Sequence, residues 1–70
     1  MSWQYVVSSN LKAVRYDPAT QTLDIEFHSG SVYRYFGVPE SVYQGLMAAS
    51  SHGKYHHLYI KNSYPYQRIR

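Results

Sequence analysis

The chain has 70 residues, no cysteine and nine tyrosines, and seven Lys and Arg against four Asp and Glu give it a formal net charge of +3. A chain of this length forms a single small domain, and without cysteine it can hold neither a disulfide nor a thiolate zinc site. Because 44% of its residues are apolar and only 16% are charged, the composition argues against intrinsic disorder.

Three strands are predicted in the first half of the chain. Residues 11–16 form the first, and Asp17 and Pro18 begin the turn that follows it. Residues 22–28 alternate apolar and polar side chains, which is typical of a strand with one face toward the core and one toward solvent. Residues 31–36 form the third strand, so the pattern predicts an antiparallel meander.

The turn between the second and third strands has two possible lengths, and they place the same tyrosines on opposite faces. A two-residue loop would set Tyr33 and Tyr35 on the solvent-facing side of the sheet. A three-residue loop with Gly30 in a bulge would set them opposite Ile25 and Leu23, on the core side. We favour the longer loop because it buries two large rings in a chain that is short of core residues.

One helix is predicted to cover this sheet. Pro39 suits the first turn of a helix, and Glu40 suits the positive end of the helix dipole. The apolar side chains that follow share one helical stripe and are Val42, Tyr43, Leu46 and Ala49. Small and polar residues at 50–53 end the helix.

Residues 54–61 are compatible with a helix or a strand, and we favour a second helix because helical spacing sorts their side chains cleanly. The apolar side consists of Tyr55, Leu58 and Tyr59. The basic side, a candidate phosphate-binding face, consists of Lys54, His57 and Lys61.

The C-terminal residues 62–70 contain Pro65 and are predicted to be extended. In an extended segment alternate side chains share a side, and this places two rings and two guanidiniums in one row: Tyr64, Tyr66, Arg68 and Arg70. The whole pattern predicts an α+β fold, namely a three-stranded antiparallel β-meander packed by one or two short helices. The extended C-terminal segment is available to join the sheet.

A set of residues spread along the chain carries a resemblance to a known family: Ser8-Ser9, Tyr16-Asp17, Phe27, Gly30, Tyr33-Arg34-Tyr35, Val38-Pro39, Tyr43, Leu46, Ser51, Gly53-Lys54-Tyr55, Ile60-Lys61 and Tyr64. In this order they resemble the KTSC domain, which is named for the C-terminus of some lysyl-tRNA synthetases. The resemblance covers about residues 5–70, so residues 1–70 are interpreted as a single KTSC-like domain. It implies a small bacterial or phage protein for which RNA binding is the suggested role. His56 stands where the resemblance leads us to expect an aromatic residue.

The charge is divided unevenly along the chain. Residues 1–40 hold three basic and four acidic residues, a net −1, whereas residues 41–70 hold four basic residues and no acid, a net +4. This asymmetry predicts an anionic partner for the C-terminal half.

Rings interleaved with cations are typical of surfaces that stack nucleobases and contact phosphates. The candidate ligand-binding residues are Arg34, Lys54, His57, Lys61, Tyr64, Tyr66, Arg68 and Arg70. Tyr33 and Tyr35, the family motif around Arg34, are either a stacking platform or part of the core. We therefore predict a non-catalytic binding module for RNA or another nucleotide-type anionic ligand.

The alternative is a protein–protein interaction or homo-oligomeric assembly module, which includes a phage-type oligomer that sequesters a nucleotide. Tyrosine and arginine are enriched at interface hot spots, and an exposed edge strand can pair with another chain.

The sequence contains no feature that points to an enzyme, a cofactor or a metal. It has no cysteine nucleophile, no Gly-x-Ser-x-Gly elbow and no Walker loop. His52 and His56 have the spacing of two metal ligands on a helix, but neither a cysteine nor a carboxylate accompanies them. No apolar run long enough to cross a membrane is present, and the start lacks the pattern of a signal peptide, so we expect a cytoplasmic protein without a membrane partner.

Overall fold

Five antiparallel strands form one sheet in the computed structural model, which describes residues 2–70. The strands pair in chain order, and the helices follow the fourth strand. The elements are β1 (Gln4–Tyr5), β2 (Leu11–Asp17), β3 (Thr22–Phe27), β4 (Val32–Tyr35), α1 (Glu40–Ala48), α2 (His52–Tyr55), a π-helical turn (His56–Ile60) and β5 (Tyr66–Arg68).

The predicted α+β fold is confirmed, whereas the prediction of three strands is wrong because one strand is added at each edge of the meander. The extended C-terminal segment joins the sheet as β5, which pairs with β4. At the other edge, the unpredicted β1 pairs with β2. A two-residue strand carries no periodicity to detect, so it is defined only by the neighbour that it bonds to.

The turn between β3 and β4 has the longer of the two predicted lengths. Leu23 lies opposite Tyr35 and Ile25 opposite Tyr33, and the amide of Phe27 donates to the Ser31 carbonyl at 2.9 Å. Gly30 closes the turn with φ +97°, a left-handed conformation that favours glycine. Both tyrosines therefore face the helices, as the three-residue loop predicts.

The core lies between the sheet and the helices. β2 contains a bulge between Leu11 and Ala13, which adds one residue to the strand. Leu11 and Val14, three positions apart, therefore both face inward and are fully buried. From the other side Leu46 of α1 and Ile60 of the π-helical turn close the core, and both are also fully buried.

The helix predicted at residues 54–61 is present but turns a different face toward the sheet. Its buried side chains are His56 and Ile60, while Leu58 and Tyr59 are more than half exposed. The amide of Lys61 donates to the His56 carbonyl at 2.9 Å, five residues back, which is the π-helical bond. This wider turn brings Tyr55 and Ile60 together on the core side, which α-helical spacing would separate.

No helix within residues 2–70 has the length and apolar character needed to cross a bilayer.

The register of the β3–β4 hairpin predicts the effect of replacing Gly30. A Cβ at this position would meet no heavy atom within 4 Å, so the positive φ is the main source of strain in Gly30→Ala. We expect this substitution to lower the free energy of unfolding by about 1–2 kcal/mol in urea denaturation.

Gly53→Ala is the matched control. Its added Cβ would lie at ordinary contact distances, 3.6 and 3.7 Å, and its φ is not positive, so we expect a neutral or slightly stabilising effect. Equal stabilities of the two variants would contradict the proposed role of Gly30 in the turn.

Candidate functional site

An aromatic pocket of about 370 Å³ opens between the β4–β5 side of the sheet and the π-helical turn. The aromatic side chains that line it are Phe27, Tyr33, Tyr35, His56 and Tyr66. Its polar and basic lining comprises Asn10, Ser29, Ser31, His57, Lys61 and Asn62. Together these residues define the aromatic pocket.

The tyrosines of the pocket are held side by side by strand register. Tyr66 lies opposite Tyr35 in the β4–β5 ladder, and its ring centroid is 5.7 Å from that of Tyr35 and 5.6 Å from that of Tyr33. Phe27 meets Tyr33 edge-on at 5.8 Å. Tyr35 is almost fully buried, whereas Tyr66 is 56% exposed and offers its ring to solvent.

A buried hydrogen bond joins the sheet to the π-helical turn beside this pocket. The Tyr35 hydroxyl lies 2.8 Å from His56 Nε2, and both side chains are almost fully buried. Burial, helped by Lys61 and His57, lowers the pKa of His56 to about 4. Burial, helped by Tyr33 and Tyr66, raises the pKa of Tyr35 to about 12. Both groups are therefore neutral near pH 7.

The structure brings five of the predicted residues to the aromatic pocket: Tyr33, Tyr35, His57, Lys61 and Tyr66. These residues come from β4, from the π-helical turn with the residue after it, and from β5. Lys61 and His57 supply the basic groups. Within residues 2–70, no carboxylate lines the pocket.

Four other predicted residues do not line the aromatic pocket, although one of them, Arg68, shares the pocket side of the sheet with Tyr33. Lys54 lines separate grooves, and Tyr64 packs against the core. Arg68 lies opposite Tyr33 in the ladder, and its Nε donates to the Arg70 carbonyl at 3.1 Å. The Arg70 guanidinium lies 2.7 Å from Glu26 in an ion pair, so the expected row of two rings and two guanidiniums does not form.

Arg34 lies on the opposite face of the sheet, where it is bound to Asp24. The Asp24 carboxylate is buried and accepts from Arg34 Nε at 2.9 Å, from Arg34 Nη2 at 3.0 Å and from Arg15 Nε at 2.8 Å. Burial by itself would raise the pKa of Asp24, but the hydrogen bonds and charges of Arg34 and Arg15 outweigh it and lower that pKa. Trp3 covers Arg15, with the guanidinium 4.3 Å from the ring centroid. The face predicted to be simply solvated is therefore a paired charge network.

Six residues that line this site are not among those predicted from the sequence: His56, Phe27, Asn10, Ser29, Ser31 and Asn62. His56 occupies the position where the family resemblance predicts an aromatic residue, and it packs as one, edge-on against Phe27 at 5.4 Å and Tyr35 at 5.6 Å. That position is the one signal that could have identified it. Phe27 has the pattern of an ordinary core residue, and Asn10 that of a loop residue.

The histidines do not assemble into a metal site. His52 Nδ1 donates to the Leu46 carbonyl at 2.8 Å, and His56 is bonded to Tyr35. Within the described part of the chain, no three His, Cys, Asp or Glu side chains cluster in a way that could hold an ion.

Comparison with known proteins gives one family. A family model described as the KTSC domain matches residues 7–64. A lysine–tRNA ligase of Nostoc sp. is 49% identical over 61 residues, which cover 87% of this chain but 11% of the ligase. An uncharacterised protein of Stutzerimonas stutzeri is 44% identical over 63 residues, 89% of each chain. The crystal structure of a KTSC domain protein from Yersinia pestis matches with a TM-score of 0.95 and 35% identity, covering 99% of this chain and 97% of that one.

The buried Tyr35–His56 pair predicts a distinctive acid sensitivity. The pKa of His56 is about 4 in the folded state against 6.5 for a free histidine, so the folded state binds a proton less readily than the unfolded chain. The contribution of neutral His56 to the free energy of unfolding is therefore complete above pH 6.5. That contribution is lost as the pH falls from 6.5 through about 4. His56→Phe should abolish this loss, while costing about 1–3 kcal/mol at neutral pH because the Tyr35 hydroxyl loses its partner.

Urea unfolding at several pH values measures the effect. His57→Gln is the control, because it also removes one imidazole but at an exposed position. We expect His57→Gln to keep most of the wild-type pH dependence between pH 6.5 and 4, because burial, not His57, is the largest cause of the low pKa of His56. A wild-type dependence in His56→Phe would show that His56 is not buried in its neutral form.

Proposed function

The chain belongs to the KTSC domain family, and from this premise we propose that it is a non-catalytic binding module for RNA or another nucleotide-type anionic ligand. The aromatic pocket is the proposed binding site. The observation that carries the proposal is the placement of Tyr33, Tyr35 and Tyr66 around one pocket whose basic groups are Lys61 and His57.

The dimensions and exposure of the pocket support a base-binding role. Its volume of about 370 Å³ lies in the range of small-molecule sites. Tyr66 is 56% exposed, so its ring is accessible to a planar base from solvent. Stacking of a base on such a ring contributes about 1–3 kcal/mol.

The arrangement of charge supports an anionic ligand. Asp24 and Glu26, two of the acidic residues, are paired with arginines on the far face of the sheet. Lys61 forms no ion pair within residues 2–70, so its charge is available to a phosphate at the pocket. The lysine–tRNA ligases with a similar segment act, by their name, on tRNA, which favours RNA among the possible ligands.

The proposed role is binding rather than catalysis, because the ionisable pair at the base of the pocket is unsuited to proton transfer near neutral pH. His56 and Tyr35 have pKa values of about 4 and about 12, and their side chains are hydrogen-bonded to each other. An acid or base catalyst works best when its pKa lies near the working pH.

Replacement of Tyr66 tests this proposal. Because Tyr66 is 56% exposed, Tyr66→Ala should leave the fold intact while removing the stacking surface. We expect it to raise the Kd for a fluorescein-labelled single-stranded RNA by about tenfold in anisotropy titrations, and Lys61→Gln to reduce the dependence of log K on log salt by about one.

Tyr59→Ala is the matched control, since Tyr59 is also 56% exposed but does not line the pocket. It should bind as the wild type does. The proposal fails if the wild-type chain binds neither RNA nor a nucleotide mixture at low salt, or if Tyr66→Ala binds as tightly as the wild type.

Homo-oligomeric assembly is the second candidate, including an oligomer that sequesters a nucleotide. It is favoured by the exposed apolar side chains of the π-helical turn, where Leu58 is 57% and Tyr59 56% exposed. Tyr55, the last residue of α2, lies beside Tyr59, with ring centroids 4.8 Å apart. An apolar patch of this kind is typical of an interaction surface.

Sedimentation velocity at increasing protein concentration tests assembly through this patch. We expect the wild-type mass to rise with concentration and Leu58→Ser to stay monomeric, whereas Tyr66→Ser should associate as the wild type does. A strictly monomeric wild-type chain at the highest concentration would exclude the assembly candidate.

A further inference from the structure

We propose that a second cavity, on the other side of Asn10 from the aromatic pocket, is a phosphate-binding groove. Its volume is about 540 Å³. It lies between the loop before β2 and the start of α2, and the lining residues that shape the proposed site are Ser8, Ser9, Asn10, Ser51, Gly53 and Lys54. The proposal that the groove binds an oxyanion rests on the geometry of the groove alone. The assignment of this oxyanion to the phosphate of a nucleotide rests on the proposed function.

The groove brings together two segments that lie far apart in the sequence. Gly53 lies next to the serine loop, because a Cβ added there would lie 3.6 Å from Ser8 Oγ and 3.7 Å from Asn10 Cβ. Absence of a side chain at Gly53 therefore leaves the floor of the groove open. Five residues of the groove belong to the positions that carry the family resemblance, and none of them lines the aromatic pocket: Ser8, Ser9, Ser51, Gly53 and Lys54.

The serine hydroxyls of the groove are prepared to donate. Ser8 Oγ accepts hydrogen bonds from the amides of Asn10 and Leu11, both at 3.2 Å, which occupies its two lone pairs. Ser51 Oγ likewise accepts from the Lys54 amide at 3.2 Å. Neither hydroxyl donates to any acceptor within residues 2–70, so each O–H is left for an acceptor from outside the chain.

The charge of the groove matches an oxyanion. Lys54 supplies an ammonium group that forms no ion pair among the described residues. No carboxylate from residues 2–70 lines the groove, so none of them competes there for the lysine or repels an anion. Hydrogen bonds from charged donors to phosphate are roughly twice as strong as neutral ones, and hydroxyl donors beside a lysine give such a site direction as well as charge.

The position of the groove relates it to the aromatic pocket. Asn10 lines both cavities, so they adjoin at this residue. The proposed phosphate site is therefore next to the pocket that is proposed for the base. The basic residues predicted to share one side of the second helix therefore lie at two cavities, Lys61 at the pocket and Lys54 at the groove.

Titration of the full chain with inorganic phosphate, followed by amide NMR, tests the groove directly. We expect saturable shifts at residues 8–10 and 51–54 that sodium chloride of equal ionic strength does not produce. Lys54→Gln and Gly53→Ala should each raise the phosphate Kd about tenfold, the first by removing the ammonium group and the second by filling the floor. Lys12→Gln, which removes the same charge at an exposed position that lines neither cavity, should leave that Kd within about twofold.

The proposed phosphate site would be overturned by chemical-shift changes that do not saturate. It would also be overturned if neither Lys54→Gln nor Gly53→Ala weakened phosphate binding. Amide spectra of the two variants establish that both remain folded, and the ordinary contact distances at Gly53 make that the expected result for Gly53→Ala.

A parallel titration with single-stranded RNA separates this proposal from the proposed function. If phosphate binds the groove but neither RNA nor a nucleotide mixture binds the chain, the groove is a site for free phosphate and the proposed function falls. If RNA binds through Tyr66 while Lys54→Gln changes neither RNA nor phosphate binding, the function stands and the groove falls. Weakening of both ligands by Lys54→Gln supports a phosphate subsite for a nucleotide.

Discussion

The register of the β3–β4 hairpin is the constraint on which the rest of the structure depends. Gly30 adopts a positive φ that closes a three-residue turn, and this sets Tyr33 against Ile25 and Tyr35 against Leu23. Because side chains alternate along a strand, a slip of one residue would exchange the two faces of β4. Rings would then lie on the far side of the sheet, and a guanidinium would point into the core.

In the segment Tyr33-Arg34-Tyr35, the two rings lie on one face of the sheet and the guanidinium lies on the other, and the two faces have different roles. The rings face the helices, where Tyr35 meets His56 and Tyr33 forms part of the pocket. The guanidinium between them neutralises Asp24, whose carboxylate is buried and would be costly without such partners. This pairing keeps the acidic groups of the sheet away from the face proposed to bind an anion, so one strand supports both the fold and the candidate site.

Tyrosine serves here as a core residue whose hydroxyl also forms a hydrogen bond. Tyr16 and Tyr35 are buried, and each hydroxyl has a partner, the Val38 carbonyl for the first and His56 for the second. Among the described residues no buried side-chain nitrogen or oxygen lacks a partner. A small chain without disulfides thereby gains large buried rings without leaving their hydroxyls unsatisfied. Tyr59, on the side of the second helix predicted to be apolar, is exposed instead, because the π-helical turn directs Ile60 inward.

Local patterns in the sequence determined the meander, the first helix and the extended C-terminal segment, and Gly30 narrowed the hairpin to two registers. Periodicity, turn residues and Pro65 act over a few positions, so they can be interpreted without knowing the fold. Only the tertiary structure decided which helix face turns inward, that Arg70 pairs with Glu26, and that the serine loop meets Gly53. These contacts join segments tens of residues apart, and packing geometry, which no local pattern encodes, decides which of them form.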